Sequence, residues 1–109
     1  MSSEKRSTLK VLFFIKKKKL LKNGEAPICL RITVNRQIVE ILIKRSIPVG
    51  QWNQAKECSN GKGKSALELN HYLETVKARI LQIQRMLEID GKLITAYAIR
   101  DKYCGRDEE

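Results

Sequence analysis

The sequence predicts an α+β domain: a three-stranded antiparallel sheet packed on one long C-terminal helix, followed by a short final helix. Three observations predict it. Residues Ile28 to Asn35 alternate apolar and polar without a break, which is the period of a half-buried strand. Strand-like runs at 9–15 and 37–45 flank that stretch on either side. Then Leu69, Leu73, Val76, Ile80, Ile83 and Leu87 recur at alternating four- and three-residue steps, the stripe of an amphipathic helix. A chain of 109 residues is long enough for one domain with a modest core.

Residues 1–6 are polar and read as a disordered arm, with the domain itself spanning 7–105. The sheet is expected over 7–49, a loop over 50–64 and helices over 65–104. In the first strand Leu9, Val11, Phe13 and Ile15 share one face, and Thr8, Lys10, Leu12 and Phe14 the other. Lys16 to Lys19 run on towards Asn23-Gly24, a turn signal, and Pro27 suits the first position of a strand. The connection is too long for a tight hairpin and reads as extended strand ends protruding past the sheet, tipped by lysines. In the middle strand Ile28, Leu30, Ile32 and Val34 face inward, leaving Cys29, Arg31, Thr33 and Asn35 in solvent. Asn35-Arg36 makes the next turn. The third strand places Val39, Ile41 and Ile43 inward with Glu40, Leu42 and Lys44 outward, because the other register buries Glu40 and Lys44. Pro48 ends it, and Trp52 pins the following loop to the core.

Residues 55–64 are polar and glycine-containing, a flexible connection. Gly61-Lys62-Gly63-Lys64-Ser65 looks like the end of a phosphate-binding loop, but the position that needs the first glycine holds Cys58. Ser65 is placed to cap the long helix, with Glu68 completing a capping box, and Gly91 ends it after about Asp90. Tyr72 and Met86 widen the apolar stripe. The stripe suits a coiled-coil seam or a core face, and the core face is favoured because the sheet has no other cover. About 26 residues would span about 39 Å, more than three strands require. The excess turns are a surface for the last segment, for self-association or for another domain. Thr95 caps a final helix, Ala96–Cys104, stopped by Gly105; Ala98, Ile99 and Tyr103 are expected to fold back onto the long helix.

The formal net charge is +10, and it is polarised. Residues 1–64 hold 15 Lys and Arg against 4 Asp and Glu, whereas residues 65–109 hold 7 against 8. A solubility device has no need of such asymmetry; a polyanionic partner does. The three cysteines are widely spaced with no metal-ligand pattern, and His71, the one histidine, reads as a helix residue, so no metal or cofactor is expected. The apolar run at 9–15 is interrupted by Lys10 and lacks a cleavage site, and no stretch reaches membrane-spanning length. The expected compartment is the cytoplasm. No Ser/His/Asp grouping, no Cys beside a His and no carboxylate cluster suggests catalysis.

Binding has a mechanism. A small antiparallel sheet is narrow enough to enter the major groove of DNA, where outward side chains reach base edges. Those outward residues are Lys10, Phe14, Arg31, Thr33, Glu40 and Lys44. Arg31, central on the middle strand, suits bidentate contact to guanine, Thr33 a thymine methyl, and Glu40 a cytosine amino group. Lys16, Lys17, Lys18, Lys19, Lys22 and Arg36 sit at strand ends and suit phosphate contacts.

The runs Leu9-Lys10-Val11-Leu12-Phe13-Phe14, Asn23-Gly24-Glu25-Ala26-Pro27-Ile28 and Leu30-Arg31-Ile32-Thr33-Val34-Asn35, with Trp52-Asn53, carry a family likeness. So do Gly61-Lys62-Gly63-Lys64-Ser65 and Ala66-Leu67-Glu68-Leu69-Asn70 with Tyr72-Leu73. In their order and spacing, over about residues 7–105, the chain resembles the N-terminal arm-type DNA-binding domain of tyrosine recombinases. These are the integrases of phages and conjugative transposons, particularly the type common in Bacteroidetes mobile elements. The resemblance implies a sheet inserted in the major groove of arm sites, supporting DNA integration and recombination. It also implies core-binding and catalytic domains beyond a linker that starts at 106–109, so the chain reads as a non-catalytic fragment. One departure stands out: the turn after the middle strand often reads Asn-Gly, and here Arg36 replaces the glycine. Two other readings compete. An RNA-binding sheet normally displays stacking aromatics, and this face offers only Phe14. A protein-interaction module would use the heptad stripe of the long helix.

Overall fold

The computed structural model describes residues 8–105. The arm expected at 1–6 and the linker expected at 106–109 lie outside them. Three strands, β1 (Leu9–Ile15), β2 (Ala26–Val34) and β3 (Gln37–Ile47), form an antiparallel sheet in the order β1-β2-β3. A two-residue pair, β4 (Trp52–Asn53) with β5 (Cys58–Ser59), follows, then α1 (Lys64–Ile89) and α2 (Ala96–Cys104). The predicted α+β architecture is the one observed.

Alternation in β2 decides which face is covered. Ala26, Ile28, Leu30, Ile32 and Val34 are all buried, joined by Phe13 and Ile15 from β1 and by Val39, Ile43 and Ile47 from β3. From α1, Leu73, Val76, Ile80, Ile83 and Leu87 pack into the same core. The heptad stripe is therefore a core face, not a free seam. Leu69 and Tyr72 lie half-buried beside it, whereas Met86, expected to widen the stripe, is 49% exposed. Ile99 and Ala96 of α2 are fully buried in this core, and α2 packs on β2 and β3 as well as on α1. Two helices thus share the cover expected of one. Gln37 Oε1, at the start of β3, accepts from the backbone N–H of Ala96 at 2.9 Å and of Tyr97 at 3.4 Å, tying the N-terminus of α2 to the sheet.

The turn between β2 and β3 has two residues, Asn35 at φ 50° and Arg36 at φ 80°. Both lie in the left-handed region, the twist that matches two-residue hairpins. Arg36 therefore keeps the tight turn in spite of its side chain, and Val34 pairs with Gln37. The inward set expected for β3 follows: Val39 and Ile43 are buried and Ile41 half-buried, with Glu40, Leu42 and Lys44 exposed. The ladder breaks once. Pro27 pairs with Ser46 and Cys29 with Leu42, so β3 bulges around Lys44, which sits at φ 61°.

Elsewhere the structure corrects the reading. Residues 16–25 are not protruding strand ends but two consecutive turns, closed by Lys19 N to Lys16 O at 3.1 Å and Gly24 N to Leu21 O at 2.9 Å. The Asn23 side chain supports the second turn by accepting from the Glu25 N–H at 3.0 Å. The segment expected to be flexible is held by side chains. Asn70 on α1 accepts from the Ser59 N–H at 2.8 Å and donates to the Ser59 carbonyl at 3.1 Å. Gln54 donates to the Phe13 carbonyl at 2.9 Å and Glu57 accepts from the Phe13 N–H at 2.8 Å, so this hairpin clasps the outer edge of β1. Trp52 packs against the core as expected. The capping box does not form. Helix α1 begins one residue early, at Lys64, with Gly63 as N-cap and no side-chain cap, which leaves Ser65 exposed inside the first turn. Its C-terminus does follow the pattern: Lys92 N bonds Leu87 O at 2.9 Å and Gly91 N bonds Glu88 O at 3.1 Å, with Gly91 at φ 69°. Thr95 caps α2 by accepting from the Ala98 N–H at 2.9 Å.

Two stability measurements check these assignments. Truncating Ile80, which is fully buried, by Ile80→Ala should destabilise the domain by about 2–5 kcal/mol in urea denaturation. Arg36→Gly should raise the urea midpoint, with a gain of about 1 kcal/mol in unfolding free energy, because glycine adopts positive φ without the steric cost an L side chain meets there.

Candidate nucleic-acid interface

The face of the sheet turned away from the helices is a regular array, because the strand pairing fixes its rows. Lys10, Thr33 and Ile38 are cross-strand neighbours; Leu12, Arg31 and Glu40 form the next row; Phe14, Cys29 and Leu42 the third. Arg31 is at the centre. Its Nε and Nη2 donate to a single oxygen, Oε2 of Glu40, at 3.1 and 2.8 Å. Lys16 Nζ approaches the other oxygen, Oε1, at 3.5 Å. The Phe14 ring lies on the diagonal, with the Arg31 guanidinium 4.8 Å and the Lys16 ammonium 5.9 Å from its centroid. Hydrogen bonding from Arg31, with its charge and that of Lys16, holds the Glu40 carboxyl below the ordinary glutamate range. Half-exposed ion pairs of this kind contribute about 0–1 kcal/mol to stability. The fold does not depend on this one.

Cys29 departs from expectation. It lies on this outward face, yet it is 1% exposed. Burial, with Glu40 nearby, raises its thiol above the usual range, which disfavours the thiolate.

Cations gather at both ends of the array. At one end Lys10, Thr33 and Arg36 line a shallow depression with Thr8 and Asn35, where Asn35 Oδ1 accepts from the Thr8 N–H at 3.1 Å and its hydroxyl at 3.0 Å. At the other end Lys16 leads into the double turn that exposes Lys17, Lys18, Lys19 and Lys22. Lys10 and Lys16 are six residues apart, about 20 Å along a strand. Lys44 sits in the bulge without a cross-strand partner, and lines a cleft on the β3 side with Glu40, Leu42, Tyr72, Arg100 and Tyr103.

Three residues the sequence-based site did not include also belong to the face. Leu42 and Ile38 are 56% and 53% exposed, and Leu12 is half-exposed between Lys10 and Phe14. The parity of β3 was enough to flag Leu42. The same parity holds for Ile38, and the two-residue turn sets it opposite Thr33.

Residues 13–100 match the Arm DNA-binding domain. The chain belongs to that family. It is an arm-type DNA-binding domain of the tyrosine recombinases and integrases, and its partner is DNA. No curated protein and no solved structure matches the chain. Among the described residues no group of three His, Cys, Asp or Glu side chains comes together to hold a metal, and no helix is long and apolar enough to cross a membrane.

The Arg31–Glu40 pair has a titration signature. A carboxyl with a depressed folded pKa contributes its pairing above the unfolded pKa and loses it as pH falls through the folded value. In a 13C NMR titration the Glu40 side-chain carboxyl should therefore have a midpoint below that of an ordinary glutamate. In Arg31→Ala the midpoint should move back up.

Proposed function

We propose that this domain binds duplex DNA sequence-specifically, with the outer face of the sheet in the major groove, at the arm sites of an integrase. In this reading it anchors a recombinase during DNA integration and recombination while catalysis takes place elsewhere. The observation that carries the proposal is the arrangement of one arginine at the centre of a sheet face, with Lys10 and Arg36 at one end of the strands and a lysine cluster at the other. Three strands at about 4.8 Å spacing give a backbone breadth of about 10 Å, against a groove about 12 Å wide. Arg31 then meets guanine, with Thr33, Leu12, Ile38 and Leu42 offering apolar contact to thymine methyls. Lys10, Lys16, Lys17, Lys18, Lys19, Lys22 and Arg36 meet phosphates, which add affinity without sequence information. Phe14 supports Arg31 by stacking. Lys44, on the bulge, reaches the backbone from the side. Cys29, Cys58 and Cys104 are all free thiols, which suits a reducing cytoplasm where the DNA would be met.

Fluorescence anisotropy with sequences enriched from a random duplex library, with random duplex and single-stranded RNA as competitors, separates readout from simple charge. Arg31→Ala should abolish the preference for the enriched sequence. Lys18→Ala should weaken binding to every duplex alike and reduce the slope of log K against log salt by about 1. Equal binding to all three polyanions, erased by salt, would reduce the face to a generic basic surface and sink the proposal.

A further inference from the structure

The geometry around Arg31 points to a second role on the same face: we infer that Glu40 is a specificity-determining residue that positions Arg31 for guanine and turns it away from phosphate. The inference rests on the groove-readout reading above and deepens it. A guanidinium has two edges that can form paired hydrogen bonds, one made by Nε and Nη2, the other by Nη1 and Nη2. Glu40 occupies the first through Oε2, at 3.1 and 2.8 Å. The second edge makes no hydrogen bond among the described residues and is left to match guanine O6 and N7. Phe14, 4.8 Å from the guanidinium carbon, lies along one face of the plane. Two contacts in different directions therefore orient the side chain before any ligand arrives, and an ordered side chain loses less entropy on binding.

Glu40 also carries the opposite consequence. A carboxylate directly across the ladder from Arg31 repels a phosphate that approaches the same guanidinium. Discrimination is a difference of affinities, and a repulsive element raises it by weakening the wrong complex. Glu40 is poorly available to accept from cytosine, since Lys16 approaches its remaining oxygen at 3.5 Å. Its negative charge, set in the most basic region of the chain, serves discrimination at the expense of overall affinity.

The test compares the full chain with Glu40→Gln, Arg31→Ala, Arg31→Lys and the double variant Arg31→Ala/Glu40→Gln, using anisotropy and thermal melting. The probes are the enriched duplex, the same duplex with 7-deazaguanine at each guanine in turn, and random duplex. Wild type should lose roughly tenfold or more at one guanine when N7 is removed. Glu40→Gln should bind random duplex several-fold more tightly, and its ratio of enriched to random binding should fall roughly tenfold at an unchanged melting temperature. With Arg31 absent, adding Glu40→Gln should still tighten random binding but leave the ratio unmoved. Arg31→Lys keeps the charge without the two edges; it should lose the guanine preference, a readout that stands even if Glu40→Gln folds poorly. Full discrimination retained by Glu40→Gln, alongside its loss in Arg31→Ala, overturns the role of Glu40 alone. No sequence preference in the wild type, or guanine preference surviving Arg31→Ala, overturns groove readout and this inference together.

Discussion

The two-residue turn at Asn35 and Arg36 is the constraint on which the sheet depends. Because both residues sit at positive φ, the chain reverses in the shortest possible space, and every cross-strand partner from Val34–Gln37 to Cys29–Leu42 follows from that reversal. A slip of one residue would exchange the faces of β3. Ile43 and Val39 would leave the core, and Glu40 would enter it. The same turn thus secures both the apolar interior and the Arg31–Glu40 pair, so the two faces of the sheet share one local determinant. An arginine at such a position is strained. Its retention of the tight turn is understandable if the guanidinium at the rim of the basic face contributes to binding what a glycine could not.

Most of the fold could be read from the sequence because its signals are local. The alternation through Ile28–Asn35 and the stripe from Leu69 to Leu87 each follow from a single period. Gly91 and Gly105 mark helix ends because a residue without Cβ adopts positive φ freely, and Thr95 marks one through its side-chain cap. What escaped was non-local. The order of residues 52–59 comes from bonds to Phe13 and Asn70, distant in sequence, and no composition rule anticipates partners of that kind. Ser65 and Glu68 had the right spacing for a capping box, but helix α1 starts from Gly63 instead. The burial of Cys29 arose from its neighbours on the ladder, although its parity pointed to solvent.

The candidate face divides in the same way. Parity along β1 and β2 is enough to select Lys10, Phe14, Arg31 and Thr33, since each strand keeps its own period. Pairing across strands is a different order of information. That Arg31 stands opposite Glu40 depends on the turn, and Asn-Arg is a weaker signal for a two-residue hairpin than Asn-Gly. The bulge was invisible for a related reason: two extra residues in β3 are accommodated by a positive φ at Lys44, a lysine with no turn-forming character. Lys44 therefore has no partner on the ladder in which strict alternation placed it.

The clasp on β1 has a consequence for how such a molecule behaves in company. An edge strand is an invitation to a further strand, and a protein that gathers at repeated positions on a polymer meets its own copies at high local concentration. Gln54 and Glu57 satisfy the Phe13 carbonyl and N–H on that edge. At the opposite edge the bulge interrupts the regular row of donors and acceptors. Neighbouring copies could then crowd together without their sheets fusing into a continuous ribbon, and crowding would remain reversible.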